Sequence, residues 1–196
     1  MPAEPSARRT ELLEAAYDYV LANGLADISL RPVAEAIGSS TGVLRFLFGS
    51  RDGLVIALVE RARADELAML DRLPDSGLLS TATALWGWLS DPAHRMLLRL
   101  WTESYATSLL AEPGPWADFA RSSVSQWLAV LAKAQPAAVR RTADGRAQCT
   151  AVLALLRGAM LDLLATGDRA RTTRAVYAGL KAITDQWSWP NDEEFS

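Results

Sequence analysis

The sequence predicts an all-α protein with a small N-terminal head of three helices and a larger helical body. Apolar residues recur at three- and four-residue steps along nearly all of the 196 residues, which is the spacing of one helix face. No run of alternating β-branched residues indicates a strand. Half of the residues are hydrophobic, so the chain can bury one small and one medium core.

Glycine and proline residues divide this apolar pattern into about nine helices. Three glycines cut the head into short pieces, and two helices of about eight residues each are stable only when a third helix supports them. We therefore separate a head (1–53) from a body (54–189) and an acidic tail (190–196). The predicted helices cover residues 7–23, 30–37, 41–48, 51–72, 77–90, 93–110, 116–134, 139–165 and 168–187.

The two short helices of the head are predicted from their capping residues. The first begins after Ser29, a favoured N-cap residue, with Pro32 in the first turn, where proline is tolerated. It ends at Gly38, and Ser39 and Ser40 offer the next N-cap within three residues. Helix, tight glycine turn and helix is the helix-turn-helix layout. In that layout, the N-terminal residues of the second helix meet DNA base edges and phosphates.

The second short helix is expected to present one face to DNA and to bury the other. Arg45 could bind a guanine or a phosphate, and the alternative is a solvated surface arginine. Gly42 lowers helix propensity, which indicates a close approach to the backbone by either a phosphate, which we favour, or the preceding helix. Leu44, Leu47 and Phe48 are expected to pack inward. The predicted DNA-binding residues are Ser29, Arg31, Ser40, Thr41, Gly42, Val43, Arg45, Phe46 and Arg51.

Three segments of the head resemble the N-terminal domain of TetR-type transcriptional repressors of bacteria. They are ISLRPVAEAIG (28–38), STGVL (40–44) and FGSRDGL (48–54). The resemblance implies a repressor that binds a double-stranded DNA operator, with Arg51 in place of a lysine that contacts phosphate. The first apolar run carries Glu11, Glu14 and Asp18, unlike a secretory segment, so we expect a cytoplasmic protein. Arg45, Leu47 and Gly49 stand where other residues are usual, which leaves the operator sequence open.

The charge of the chain does not by itself favour DNA. The net charge is −3, and residues 1–53 carry five arginines against seven acidic residues. Nucleic-acid binders often have a basic excess, so DNA affinity must come from where the arginines are placed. Arg8 and Arg9 could reach phosphates, or could belong to a disordered basic start.

The last two predicted helices are expected to form a dimer interface. The eighth is apolar almost all round, whereas a surface helix shows a single apolar stripe. Ala154 and Gly158 lie four residues apart on it, and Tyr177 and Leu180 lie on the ninth helix. The resemblance, which extends weakly to 157–170, implies a four-helix bundle between two copies. A monomer with a central eighth helix is the alternative.

Aromatic residues of the body suggest an effector site. The chain contains seven tryptophans, which either fill a core or line a cavity. The resemblance implies that a small apolar effector binds between helices four to eight and releases the operator. The alternative is a DNA-binding regulator with a filled body and no effector. The candidate pocket residues are Trp86, Leu97, Trp101, Tyr105 and Trp127.

Enzyme, metal and membrane functions find no support in the sequence. His94 and Cys149 are the only residues of their types, and no catalytic or phosphate-binding motif accompanies them. We therefore expect no enzyme activity, no metal and no cofactor. The apolar stretch 151–165 contains Arg157 and Asp162 and is shorter than the roughly 20 residues of a membrane helix.

Overall fold

We describe the protein from a computed structural model, which describes residues 7–24, 28–70, 72, 77–110 and 118–186, the side chains of 66 and 67 excepted. These residues contain no strand. The predicted all-α class is confirmed, and so is the number of helices within the described chain. The helices are α1 (Ala7–Asn23), α2 (Leu30–Ala36), α3 (Thr41–Phe48), α4 (Arg51–Leu70), α5 (Leu78–Leu89), α6 (Arg95–Leu110), α7 (Phe119–Lys133), α8 (Ala143–Thr166) and α9 (Arg169–Gln186), with a 3-10 turn at Pro92–His94.

The start of α8 is the largest departure from the predicted boundaries. The predicted helix begins at residue 139, whereas α8 begins after Thr142. The Thr142 hydroxyl accepts a hydrogen bond from the Gly145 N–H at 2.9 Å and donates one to the Val139 carbonyl at 2.8 Å. A Cβ at Gly145 would lie 2.1 Å from that carbonyl oxygen. The prediction was wrong here because the local cap formed by Thr142 and Gly145 starts the helix four residues later than the apolar pattern indicates.

The chain divides into two compact units. Unit 1 comprises Met1–Met69 and Met96–Ser123, and unit 2 comprises Leu70–Arg95 and Val124–Ser196. Most of α4 and α6 therefore group with the three helices of the head. The functional division at residue 53 stays a prediction, and the predicted tail lies outside the described residues.

Unit 1 is built on apolar residues at helical spacing. Leu12, Ala16 and Val20 follow one another at four-residue steps on α1, and all three are buried. Val33 of α2 and Leu44 of α3 are fully buried as well. Each of the two short helices therefore depends on the core that α1 completes, as expected for helices of seven and eight residues.

Unit 2 is built on α8 and α9, with α5 packed against both. Gly167, with φ of 71°, ends α8 and reverses the chain. The Asp162 carboxylate accepts two hydrogen bonds from Arg171 across this turn, at 2.6 and 2.8 Å. A Cβ at Gly179 would lie 2.7 Å from a methyl carbon of Leu155, so the glycine lets α9 approach α8 closely.

Of the described helices, α8 alone is long and apolar enough to cross a membrane. Core helices of soluble proteins have the same composition, and Val152, Leu156 and Met160 of α8 are buried in unit 2. Arg157 and Asp162 also lie within this helix. Only 28% of the apolar 18-residue window of α8 is buried inside the chain, so one face of α8 belongs to the core of unit 2 and the rest is uncovered.

Candidate nucleic-acid interface

The turn between α2 and α3 is closed by a glycine. Gly38 has φ of 63°, a conformation that costs glycine little. The Ser39 N–H donates to the Ala34 carbonyl at 2.8 Å, and the Gly38 N–H donates to the Glu35 carbonyl at 3.4 Å. These two bonds form a Schellman motif, which places the start of α3 directly after the end of α2. The predicted helix, glycine turn and helix are therefore present.

The two predicted N-caps differ. The Ser40 hydroxyl accepts a hydrogen bond from the Val43 N–H at 3.2 Å and caps α3, as expected. Ser29 occupies the N-cap position of α2, but its side chain accepts no hydrogen bond from the α2 backbone. A side-chain hydrogen bond thus caps the N-terminus of α3, whereas the N-terminus of α2 has no such bond from its N-cap residue.

The end of α3 is joined closely to the start of α4. Gly49, with φ of 78°, donates its N–H to the Arg45 carbonyl at 2.8 Å and ends α3. Ser50 caps α4 by accepting from the Gly53 N–H at 3.1 Å. A Cβ at Gly53 would lie 1.9 Å from the Phe48 carbonyl oxygen. Only glycine fits there, so the first turn of α4 can lie in direct contact with the end of α3.

The two faces of α3 differ in burial. Leu44 and Phe48 are buried, as expected, whereas Leu47 is only half-buried. Arg45 is exposed, Val43 is 38% exposed and Phe46 is 87% exposed. A single surface of α3 therefore offers one cation and two apolar side chains to solvent. Of the other candidates on this surface, Ser40 and Gly42 are exposed and Thr41 is half-buried.

Gly42 has open space around it. Apart from the chain next to it, the nearest described atom to a Cβ at this position would be Ser40 Oγ, at 3.8 Å. A close approach by α2 is therefore not the reason for this glycine. A partner outside the chain remains the other interpretation.

The arginines of the head have different environments. Arg51 donates its Nε–H to the Ile28 carbonyl at 2.9 Å and lies 3.2 Å from Asp52, with half of its side chain exposed. Arg31 pairs with Glu35 at 3.0 Å and is largely exposed. Exposed pairs of this kind contribute little to stability, so both guanidinium groups could exchange their partners for phosphate.

The first residues of α1 contradict the disordered basic start. Arg8 and Arg9 both lie within α1. Arg8 pairs with Glu11 at 2.8 Å, and the Arg9 guanidinium lies over the Phe48 ring at 5.1 Å. Arg9 therefore stabilises the end of α3 from α1.

A charged cluster between α1 and α4 was missed by the sequence analysis. The Tyr17 hydroxyl donates to Asp65 at 2.9 Å, and Arg61 donates to Glu14 at 2.8 Å and also to Asp65. The Arg61 guanidinium lies 4.8 Å from the centre of the Tyr17 ring. Burial, and then the Asp65 carboxylate, raise the pKa of Tyr17 above its ordinary value. The only sequence signal was the four-residue step from Arg61 to Asp65.

The candidate pocket residues fall in both units. In unit 1, Trp101 is buried and stacks on Tyr105 with ring centres 4.9 Å apart, and Leu97 is half-buried. In unit 2, Trp86 is buried and donates its indole N–H to the Thr173 hydroxyl at 3.0 Å, and Trp127 is buried with the Arg157 guanidinium 5.5 Å from its ring centre. The structure thus places Trp101 beside Tyr105, and gives Trp86 and Trp127 polar neighbours of their own.

The candidate dimer residues are not all on the surface. Ala154, Gly158 and Tyr177 are exposed, and nothing lies within 4 Å of a Cβ built at Gly158. Leu161, one turn further along α8, is also exposed. Leu180 is only 1% exposed and belongs to the core of unit 2. It is buried within its own chain, on a helix that packs against α8 and α5.

Buried polar groups of unit 2 lie near the start of α8. Gln135 donates its amide N–H to the Gly145 carbonyl at 3.0 Å and to the Gln148 side-chain oxygen at 2.8 Å. Cys149 is buried, and burial raises the pKa of its thiol to about 11. A thiol in this state is a poor nucleophile at neutral pH. Within the described residues, no three His, Cys, Asp or Glu side chains meet at one point.

Comparisons with known proteins identify the fold. No protein-family model and no curated protein sequence matches the chain. Solved structures do match over nearly its whole length. One is described as a TetR-family transcriptional regulator from Rhodococcus sp., with TM-score 0.73 and 20% identity, covering 91% of this chain and 99% of that one.

Two further structures contain small ligands. The multidrug-binding protein EbrR, complexed with imidazole, has TM-score 0.68 and 22% identity, covering 95% of this chain and 93% of its own. A transcriptional regulator from Saccharomonospora viridis, in complex with choline, has TM-score 0.69 and 18% identity, covering 92% and 96% of the two chains. The chain therefore has the fold of TetR-type regulators, and the resemblance of its head is confirmed as a resemblance of fold.

Proposed function

We propose that this chain is a transcriptional regulator of the TetR family, a cytoplasmic repressor that binds a palindromic DNA operator as a homodimer and is released by a small apolar molecule. The observation that carries the proposal is the head. A capped α3 follows α2 through a glycine turn and presents Val43, Arg45 and Phe46 outward from a buried Leu44. In helix-turn-helix proteins this second helix enters the major groove.

The charge distribution supports this proposal despite the acidic composition. Arg31, Arg45 and Arg51 are all exposed in the head. Arg51 lies in the first turn of α4, where it can contact a phosphate, and Arg45 lies on α3, where it can reach a guanine edge. Gly42 would allow the DNA backbone to come closer than any residue with a Cβ would permit.

The dimer is proposed through the exposed apolar face of α8. Ala154, Gly158 and Leu161 follow one another at helical spacing on that face, with Tyr177 exposed on α9. The small residues would let a second copy approach closely. Two heads of a dimer can then occupy successive major grooves, about 34–36 Å apart, on a palindromic operator.

Effector release is proposed through α4. This helix begins at Arg51, which is placed to meet DNA, and its last residue, Leu70, belongs to unit 2. An effector that binds one arrangement of α4 more tightly than another shifts the equilibrium by that difference in affinity. Structural neighbours hold imidazole, proflavin and choline, which supports a small-molecule effector. We propose the stacked pair Trp101 and Tyr105 as part of its site.

A regulator with a filled body is the second candidate. Trp86 is fully buried, and its indole N–H already has a partner in Thr173. Such a side chain behaves as ordinary core. This candidate keeps the DNA-binding head and the dimer but has no effector.

Selection of DNA tests the proposal. The wild-type protein is incubated with a library of randomised duplexes, and the bound duplexes are recovered and sequenced over several rounds. We expect an inverted repeat whose half-sites are about 10 base pairs apart, or a multiple of that spacing. Recovery of unrelated sequences, with an affinity no better than for bulk DNA, would contradict the proposal.

A thermal-shift screen separates the two candidates. Small aromatic and apolar compounds are added to the protein, and each compound that raises the melting temperature is then added to the protein–operator complex. A ligand present at about 100 times its Kd should stabilise the fold by about 2.7 kcal/mol and dissociate the operator. Stabilising compounds that leave operator affinity unchanged would contradict effector release, whereas a protein whose melting temperature no compound raises would favour the filled body.

A further inference from the structure

The most exposed large apolar side chain of the described residues lies on α3, the second helix of the helix-turn-helix. Phe46 is 87% exposed, and Val43, three residues earlier on the same surface of α3, is 38% exposed. Single exposed apolar residues are common on protein surfaces. What distinguishes this pair is its position: the surface that carries it also carries Arg45, and both ends of the helix are fixed by Ser40 and Gly49.

The phenyl ring of Phe46 cannot take the roles open to other residues at a DNA interface. It has no donor or acceptor, so it can neither bind a phosphate nor read the polar edge of a base. In the major groove, the base edges present hydrogen-bonding groups and one apolar group, the C5-methyl of thymine. Burying the ring against any other base edge would remove water from a polar group without replacing its hydrogen bonds.

We propose that Phe46, with Val43 beside it, reads thymine methyl groups in each half-site, while Arg45 binds a neighbouring guanine or phosphate. The inference rests on the proposed DNA-binding function and adds the class of base that the apolar surface selects. The juxtaposition of a cation and two apolar side chains on one short helix matches a polyanion whose groove contains methyl groups. A deoxyribose ring is the other apolar surface that DNA offers.

Removing the methyl group alone tests the inference. The duplex selected by the wild-type protein is synthesised with each thymine replaced, one at a time, by uracil, which lacks only the C5-methyl. At one or two thymines of each half-site, affinity should fall about four-fold per methyl, the equivalent of about 0.8 kcal/mol for one buried carbon. The effect should reach about fifteen-fold when both half-sites are changed. 5-Bromouracil, whose bromine is close to a methyl group in size, should restore binding.

The F46A variant tests whether Phe46 is the side chain that senses the methyl group. It should lose most of the preference for the thymine duplex over the uracil duplex, because the larger of the two side chains that contact the methyl is gone. The ring is exposed, so we expect F46A to fold normally, which circular dichroism melting checks. L110A is the matched control: Leu110 is 86% exposed but lies at the end of α6, and this variant should keep the wild-type preference for thymine.

The outcomes separate this inference from the function on which it rests. If the selected duplex binds tightly but no uracil substitution weakens it, Phe46 packs on sugar and the thymine inference is overturned, while the DNA-binding function stands. If F46A retains the full preference for thymine, another side chain reads the methyl and the inference is likewise overturned. If no duplex is selected at all, both fail.

Discussion

Two glycines of the head, Gly42 and Gly53, lie eleven residues apart and are surrounded differently. A Cβ at Gly53 would meet the Phe48 carbonyl at 1.9 Å, whereas at Gly42 the nearest atom would be at 3.8 Å. Gly53 is therefore required by the fold. Gly42 is free of any such requirement, which agrees with the proposed close approach of a DNA backbone.

These surroundings predict opposite effects of alanine on stability. G42A should raise the free energy of unfolding by up to about 1 kcal/mol, since alanine favours a helix more than glycine does, and yet weaken operator binding. G53A should lower the free energy of unfolding by about 2–4 kcal/mol, because Phe48 must move. Urea unfolding and anisotropy with the selected duplex measure the two quantities. Unchanged operator affinity in G42A would show that no phosphate approaches there.

Arg51 is proposed to neutralise one phosphate without reading sequence. R51A should weaken binding to every duplex by a similar factor, and should reduce the slope of log affinity against log salt by about one for each half-site. R51K should keep the slope and lose only the hydrogen bond to the Ile28 carbonyl. The measurement is the affinity of each variant for the selected and unrelated duplexes at several salt concentrations. A loss of affinity confined to the selected duplex would instead assign Arg51 to base recognition.

At the scale of helices, the cluster of Tyr17, Arg61, Asp65 and Glu14 ties α1 to α4. The pKa of Tyr17 is raised by burial and by Asp65, so the folded state holds the phenol proton more tightly than the unfolded state. The resulting stabilisation is complete below about pH 10 and is lost as pH rises above that value. The contribution of Tyr17 is therefore fully present at neutral pH.

Removing the Tyr17 hydroxyl should reduce the loss of folding stability at alkaline pH. Y17F should cost about 1 kcal/mol at about pH 8, and should lose less further stability than wild type between about pH 9 and pH 11. Urea unfolding across that range provides the measurement. Y19F, which removes a hydroxyl from the same helix outside the cluster, is the matched control and should follow wild type. Parallel curves for Y17F and wild type would contradict the role given to Tyr17.

What the sequence predicted correctly was local. The turn between α2 and α3 follows from Gly38 and Ser40, which form their bonds within five residues. The α1–α4 cluster joins residues 47 and 48 positions apart, so no local pattern reveals it. Leu180 was assigned to a dimer surface because an apolar helix position does not show which neighbour covers it.

At the scale of the whole molecule, the proposed dimer predicts the effect of a charge on α8. Gly158 and Gly87 are both exposed helical glycines with open space at a Cβ. G158E should weaken association by about 3–5 kcal/mol, since it buries an uncompensated charge, and should sediment as a 21.3 kDa particle. G87E on α5 is the matched control and should sediment like wild type, at twice that mass. A wild-type monomer at micromolar concentration would exclude the dimer.

Fluorescence anisotropy measures whether the exposed surface of α3 reads DNA. Wild type, R45A and R174A are titrated with the selected duplex and with a scrambled duplex of the same composition. Arg174 is an exposed arginine on α9, so R174A removes the same charge from outside the head. We expect wild type and R174A to prefer the selected duplex equally, and R45A to lose about 1–3 kcal/mol of that preference. Equal binding of both duplexes by the wild-type protein, or a preference that R45A leaves intact, would contradict this role of α3.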